Sequence, residues 1–128
     1  MKVYLAGRYQ EQAAMRACRD EWADKISVTA RWIDGKHDGV APQICCLDDL
    51  ADIDAADALV LWNPKAQHGN GRGGRHVELG YALAREKRII IIGDRENVFH
   101  WHPAIEHVAD FPDAFALLTA PEADAGKG

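Results

Sequence analysis

Apolar runs alternate with segments of helical periodicity along most of the chain. The runs are apolar at nearly every position, and the segments between them repeat apolar residues every three or four positions. The predicted elements are strands at residues 3–6, 28–33, 58–62, 89–93 and near 107–109, and helices at residues 10–24, from Pro42, at about 75–87 and near 113–118. The pattern therefore predicts a regular alternation of strand and helix.

Two of these helices carry apolar residues that predict which face is buried. In the helix beginning at Pro42, an apolar stripe is formed by Ile44, Leu47 and Ala51. In the helix from about residue 75, the residues on one side are Val77, Gly80, Tyr81 and Ala84. We expect these stripes to pack on the sheet.

Strands that are apolar throughout and alternate with helices are typical of a parallel sheet covered on both faces. The predicted fold is α/β, a doubly wound, mostly parallel sheet of about five strands in a flavodoxin- or Rossmann-like three-layer sandwich, with residues 58–62 as the central strand. Ligands of such sheets bind beyond the carboxyl ends of the strands, where strand order reverses. Residues 7–9 and 63–78 should therefore face one pocket.

Composition narrows the class of partner. The chain has 128 residues, 48% of them hydrophobic, which fits one domain over residues 1–119 followed by a flexible tail at 120–128. A net charge of −5 argues against a nucleic-acid polymer as partner, and no apolar stretch is long enough to cross a membrane. With no signal-like start and an odd number of cysteines, we expect a cytoplasmic protein that binds a small molecule.

A glycine-rich segment, GNGRGGR at residues 69–75, directly precedes a predicted helix. Free backbone N–H groups and the positive end of the helix dipole can hold an anion there, which makes Arg72, Gly73 and Gly74 candidate binding residues. The segment also satisfies a loose dinucleotide fingerprint, but it follows the third strand and lacks the end of a P-loop. A plain flexible loop is the alternative.

Glu78 lies near the start of that helix, beside the stripe formed by Val77 and Tyr81. We expect the helix dipole to keep its carboxylate ionised, which suits a nucleophile better than a proton donor. The alternative is a glutamate that only stabilises the helix terminus. By spacing alone, Tyr4 is a core aromatic residue, and Asp49 belongs to an acidic segment that is mostly a solvated helix face.

Histidines are concentrated near the C-terminal part, at His100, His102 and His107. No carboxylate or cysteine stands at a matching spacing, so this group is interpreted as a loop that packs over the sheet rather than as a metal site. No metal and no cofactor is expected.

Three segments together resemble the nucleoside 2-deoxyribosyltransferase family: KVYLAG at residues 2–7, DLADIDAADALV at 49–60 and GGRHVELGYALA at 73–84. The resemblance runs in order from the first strand through Ile92. It implies that Glu78 is the nucleophile, that Tyr4 orients it and that Asp49 helps to hold the substrate. It also implies a covalent glycosyl-enzyme, retention of configuration and a homodimer or higher homo-oligomer.

One departure from the family pattern concerns Arg72, where the transferases carry an aspartate that contacts the sugar 5′-hydroxyl. A guanidinium at this position, with Gly7, Arg8 and the glycine-rich amides, suits a 5′-phosphate. This resembles the family's nucleotide branch, whose members are N-glycosidases that hydrolyse nucleoside 5′-monophosphates. The alternatives are a transferase acting on unphosphorylated deoxynucleosides, a non-catalytic nucleotide sensor and, less favoured, cleavage of NAD.

Overall fold

The computed structural model describes residues 1–64 and 73–120. Its strands are β1 (Lys2–Ala6), β2 (Ser27–Val28), β3 (Ala58–Asn63), β4 (Arg88–Gly93) and β5 (Glu106–Val108). Its helices are α1 (Gln12–Glu21), α2 (Pro42–Asp54), α3 (Gly74–Ala84) and α4 (Phe111–Thr119). The tail predicted at 120–128 falls almost wholly on residues 121–128, outside the described part of the chain. No helix among the described residues is long and apolar enough to cross a membrane.

The five strands form one parallel sheet in the order β2-β1-β3-β4-β5. This confirms the predicted doubly wound α/β fold, with β3 at the centre. The chain moves outward from β1 to β2 and then returns to β3 on the other side of β1. Strand order therefore reverses between β1 and β3. A cleft opens beyond their carboxyl ends, where the chain leaves the two strands toward opposite faces of the sheet.

Helices cover both faces of the sheet. On one face α1 and α4 meet, where the rings of Trp22 and Phe115 lie 5.3 Å apart. On the other face α2 and α3 pack together, and the Tyr81 hydroxyl donates to Asp54 at 2.9 Å. Between these layers β3 and β4 are almost fully buried, which explains why both strands are apolar without alternation.

The second strand is much shorter than the sequence predicts. Only Ser27–Val28 pairs with β1, and Arg31–Asp34 forms a turn of 3-10 helix instead of further strand. The Trp32 indole N–H donates to the Leu5 carbonyl at 2.9 Å. A side chain, rather than the backbone, thus bonds this segment to β1, and the prediction of a strand through residue 33 was wrong.

The buried face of α2 also differs from the prediction. Ile44 and Leu47 are 50% and 67% exposed, whereas Asp52 and Ile53 are buried. Asp52 is held by Arg31, whose guanidinium donates to it at 2.8 Å. This ion pair compensates the buried carboxylate, so the helix turns a face inward that hydrophobicity alone would not select.

The same correction applies to α3. Val77 is 69% exposed, and the buried residues are Arg75, Leu79 and Ala82. With Glu78 these residues follow the spacing i, i+3, i+4, i+7, so they form one stripe. The inward stripe therefore contains two charged residues, Arg75 and Glu78, in the amino-terminal half of the helix.

Candidate active site

A pocket of about 710 Å³ opens at the carboxyl ends of β1 and β3, between α2 and the start of α3. Six of the residues that the sequence marks as candidates line it: Gly7, Arg8, Asp49, Gly73, Gly74 and Glu78. Tyr4 lies in β1 and reaches the pocket through Glu78. Arg72 lies outside the described residues.

Two glycines shape this wall. A Cβ on Gly7 would overlap the buried Met15 side chain and would approach the Trp62 carbonyl to 3.2 Å, so any larger residue here requires Met15 to move and the backbone to adjust. Gly73 has φ of +86° where it caps α3. This left-handed conformation favours glycine and lets the helix begin at the pocket.

Glu78 and Tyr4 form the central contact of the site. Tyr4 is fully buried in β1, and its hydroxyl donates to Glu78 Oε2. Burial, together with the charges of Glu78 and Asp49, raises the pKa of Tyr4. The phenol therefore stays protonated and presents a hydrogen-bond donor to the carboxylate at any physiological pH.

The expectation that Glu78 stays ionised was wrong. Burial raises the pKa of Glu78 to about 8, although the Tyr4 hydrogen bond lowers it; the charge of Asp49 raises it further. Glu78 is the fifth residue of α3 and lies past the first turn. The field of the helix terminus is strongest within that first turn. Desolvation therefore outweighs the dipole, and the Glu78 carboxyl is mostly protonated at neutral pH.

Asp49 faces the same pocket from α2. Burial raises its pKa to about 6, and the carboxylates of Asp52 and Asp48 add to the rise, while His37 opposes it. His37 Nδ1 lies 3.6 Å from Asp49 Oδ1, and its Nε2 lies 3.4 Å from Asp48 Oδ2. His37 lines the pocket and was missed by sequence reasoning, since a single histidine in a loop carries no motif.

Two buried arginines form a second polar cluster. Arg8 and Arg75 are 8% and 4% exposed, and both line the pocket. Glu96 Oε1 accepts from both guanidiniums, at 3.1 Å from Arg8 and 2.8 Å from Arg75. Arg8 also donates to the Pro64 carbonyl at 3.1 Å, but its buried Nε has no hydrogen-bond partner among the described residues.

The backbone of Glu96 is fixed by a hydrogen bond to His100. Its N–H donates to His100 Nδ1 at 3.0 Å, and the buried His100 ring packs 5.2 Å from that of His76. Burial alone would raise the pKa of Glu96, but hydrogen bonds from Arg75 and Asn63 lower it, so the carboxylate is ionised. No sequence motif marks Glu96. Arg75 closes the glycine-rich segment of the sequence, but its partner Glu96 follows β4, 21 residues further along the chain.

Aromatic rings border the opposite side of the pocket. Tyr9 and Trp32 stack with their centroids 6.5 Å apart and their planes at 27°. The Trp32 ring is fixed by its bond to Leu5, and the Tyr9 hydroxyl donates to Asp38. Flat, immobilised rings of this kind suit stacking with a planar heterocycle.

The three histidines near the C-terminal part have separate surroundings. His100 is buried beside Glu96, His102 accepts from the Ala104 N–H, and His107 contacts the Gly93 carbonyl. Across residues 1–64 and 73–120, no group of three or more His, Cys, Asp or Glu side chains is arranged to hold a metal ion.

The fold and site together define a doubly wound α/β protein with a carboxyl–phenol pair, formed by the partly buried Glu78 and the fully buried Tyr4, at the switch point of its sheet. Solved structures with this fold include a CMP N-glycosidase from Clostridium botulinum, at 17% sequence identity and a TM-score of 0.60, covering 92% of this chain and 98% of that one. The 2-deoxyribosyltransferase from Leishmania mexicana matches at 16% identity and a TM-score of 0.72, covering 92% and 96%.

A third structure is the 2-deoxyribosyltransferase from Bacillus psychrosaccharolyticus, at 13% identity and a TM-score of 0.67, covering 89% of this chain and 90% of that one. A scan against protein-family models and a search of curated proteins each found no match. The chain therefore has the fold of nucleoside 2-deoxyribosyltransferases and of a nucleotide N-glycosidase.

Proposed function

We propose that this chain is a cytoplasmic enzyme of the nucleoside 2-deoxyribosyltransferase family that cleaves the base–sugar bond of a (deoxy)nucleoside 5′-monophosphate. The observation that carries the proposal is the hydrogen bond from Tyr4 to Glu78 at the wall of the pocket. A buried carboxylate held by a neutral donor is a positioned nucleophile, and attack on an anomeric carbon requires one.

In the proposed mechanism Glu78, once ionised, attacks the anomeric carbon through a transition state that resembles an oxocarbenium ion. The C–N bond breaks, and the base leaves with the bonding electron pair and takes up a proton. Water then attacks the same carbon, releases Glu78 and returns a proton to solution. Two displacements retain the configuration and yield a free base and a sugar 5-phosphate. Asp49 holds the sugar.

Positive charge that develops on the sugar has a further consequence for Glu78. Burial of the carboxyl and the nearby charge of Asp49 disfavour its ionised form. A sugar that develops positive charge at its anomeric carbon supplies the missing counter-charge. The carboxylate is thus stabilised most in the transition state, which is the condition for catalysis.

The two-arginine cluster supports a 5′-phosphate as the second recognition element. Arg8 and Arg75 are buried at the pocket wall, and Arg8 Nε–H has no acceptor among the described residues. Gly73 caps α3 and Gly74 begins it, and the first backbone N–H groups of a helix have no acceptor in the preceding turn of that helix, which suits them to an anion. We include Arg72 in this proposed site because it directly precedes these glycines.

A substrate panel tests the proposal. Purified protein is incubated with nucleosides, their 5′-monophosphates and NAD, each with and without an acceptor base, and free base is measured by chromatography. We expect base release from monophosphates without an acceptor. Reaction of nucleosides alone, and only when an acceptor base is present, would sink the hydrolase proposal in favour of the transferase.

The transferase is the second candidate because two of the solved structures with this fold are 2-deoxyribosyltransferases. A non-catalytic sensor is a third, favoured by the raised pKa of Glu78. Glu78→Gln separates it from both enzymes. We expect the variant to bind a monophosphate as well as wild type and to lose base release by at least about 10³-fold. Wild-type protein that binds but never releases base would be a sensor.

We further propose that the chain forms a homodimer or higher homo-oligomer through the helical face next to the pocket. Ile44, Leu47 and Val77 are at least half exposed on α2 and α3. Apolar side chains grouped on one face are typical of an interface. Light scattering after size exclusion should give a mass above that of one chain, and Leu47→Glu should lower it.

A further inference from the structure

Glu96 is the one carboxylate that joins the two pocket arginines among the described residues. Its Oε1 accepts from Arg8 at 3.1 Å and from Arg75 at 2.8 Å, and Oε2 accepts from Arg75 at 3.1 Å. Both guanidiniums line the pocket, whereas the Glu96 side chain is 32% exposed and pairs with them from one side. This carboxylate therefore occupies donors that an incoming anion could otherwise use.

Hydrogen bonds hold the backbone at Glu96 and in the turn that follows it. Its backbone N–H is bonded to His100, and Asn97 Oδ1 accepts from the backbone N–H groups of Phe99 and His100 in the turn that follows. His100 is 2% exposed. The carboxylate thus extends from a braced turn and pairs with both guanidiniums, so its charge is counted with theirs.

The charge balance follows directly. Among the described residues, two guanidiniums and one carboxylate leave one net positive charge (+2 − 1 = +1), to which the terminus of α3 adds roughly half a charge. A phosphate monoester carries about −1.5 to −2 at neutral pH, so one such group nearly neutralises the cluster. A second phosphate group would bring further negative charge to a site whose net positive charge is already neutralised, beside the carboxylate of Glu96.

We propose that Glu96 is a specificity-determining residue that restricts the pocket to a single phosphate group and disfavours di- and triphosphates. The inference rests on the proposed function, since it assumes that Arg8 and Arg75 bind the substrate's phosphate. The Arg8 Nε–H, which has no acceptor among the described residues, supplies a donor for that one group, and Glu96 repels a second.

The test uses inorganic phosphate and pyrophosphate as probes, titrated into the full chain in a calorimeter. Glu96→Gln keeps the side-chain shape and the oxygen that accepts from both arginines, but it removes the charge. Glu106→Gln is the matched control, because Glu106 also pairs with an arginine, Arg88 at 2.6 Å, with a similar exposure of 36%, at the other end of the strands.

We expect wild type to bind phosphate more tightly than pyrophosphate. Glu96→Gln should bind both probes more tightly. Its gain in affinity for pyrophosphate should exceed its gain for phosphate by at least about tenfold, because removal of the negative charge relieves more repulsion for the more highly charged ligand. Glu106→Gln should keep the wild-type ratio of the two dissociation constants.

An unchanged ratio in folded Glu96→Gln overturns the inference, and so does the absence of phosphate binding by wild type. If Glu96→Gln fails to fold, the wild-type ratio still decides, since equal or tighter binding of pyrophosphate contradicts the role of Glu96. The two proposals fail separately. If base is released from monophosphates but the ratio is unchanged, the proposed activity stands and the role of Glu96 is refuted. If the ratios are as expected but no base is released, only the proposed activity is refuted.

Discussion

Tyr4 and Glu78 lie 74 residues apart in the chain, and the Tyr4 hydroxyl donates a hydrogen bond to the Glu78 carboxylate. Tyr4 belongs to a strand inside the sheet, and Glu78 belongs to the helix that follows the neighbouring strand. The contact therefore exists only when β1 and β3 pair in register. The pKa of Glu78, and with it the reactivity of the carboxylate, therefore depends on burial, on Tyr4 and on Asp49.

Activity should rise with pH as the free enzyme loses the proton on Glu78. With a pKa of about 8, kcat/KM should fall roughly tenfold for each pH unit below that value, because kcat/KM reports ionisations of the free enzyme. A pH profile of base release from a monophosphate measures this. A profile that is flat from pH 6 to 9 would contradict the raised pKa.

Stability should show the opposite trend. The folded pKa of Glu78 lies above its unfolded value, so the folded state binds the extra proton between pH 4.5 and about 8. The free energy of unfolding of wild type should therefore decrease over this range relative to that of Glu78→Gln. Urea denaturation at pH 5 and pH 8 measures the difference, and parallel pH dependence of the two proteins would refute it.

Replacing Tyr4 with phenylalanine should raise the pKa of Glu78 further. The variant keeps the ring in the core but removes the hydrogen bond that favours the carboxylate. The midpoint of the pH profile should move upward, and kcat/KM at pH 7 should fall. A merely structural role for the hydroxyl would change stability and leave the midpoint in place.

Asp49→Asn should move the same midpoint downward. The negative charge of Asp49 raises the pKa of Glu78, so its removal makes ionisation easier even where the loss of a sugar contact reduces kcat/KM. Asp48→Asn is the matched control, because this neighbouring carboxylate pairs with Arg31 at 3.3 Å. Equal shifts in both variants would show that the effect does not come from Asp49.

Arg8→Gln should weaken the preference for a phosphorylated substrate. The variant removes a buried guanidinium from the pocket wall, so KM for a monophosphate should rise by roughly tenfold or more, as expected for a charged hydrogen bond. KM for the matching nucleoside should change little. Arg19→Gln, which removes a surface ion pair with Asp34, controls for loss of charge.

The sequence determines the two central strands of this protein well. β3 and β4 are buried on both faces over most of their length, so an apolar run without alternation has few other interpretations. The order of elements then restricts the topology, because parallel strands need crossover helices. This is why the fold and the location of the pocket could both be predicted.

The faces of α2 and α3 could not be predicted. Each helix has apolar residues on more than one side, and the true inward stripe of α3 includes Arg75 and Glu78. Hydrophobicity assigns charged residues to solvent, so the pattern selected Val77 and its neighbours instead. An interruption of a buried stripe by charge marks the site, but only the packing of Leu79 and Ala82 against the sheet shows which stripe it is.

Residue types and their order were enough to name Glu78, Tyr4 and Asp49 as candidates, through their resemblance to a family. Tertiary structure alone decided the protonation of Glu78 and the cluster around Glu96. A pKa depends on how much water and which charges surround a group, and Arg8, Arg75 and Glu96 come from three segments far apart in the chain. Neither property is local, so neither could be derived from neighbouring positions in the sequence.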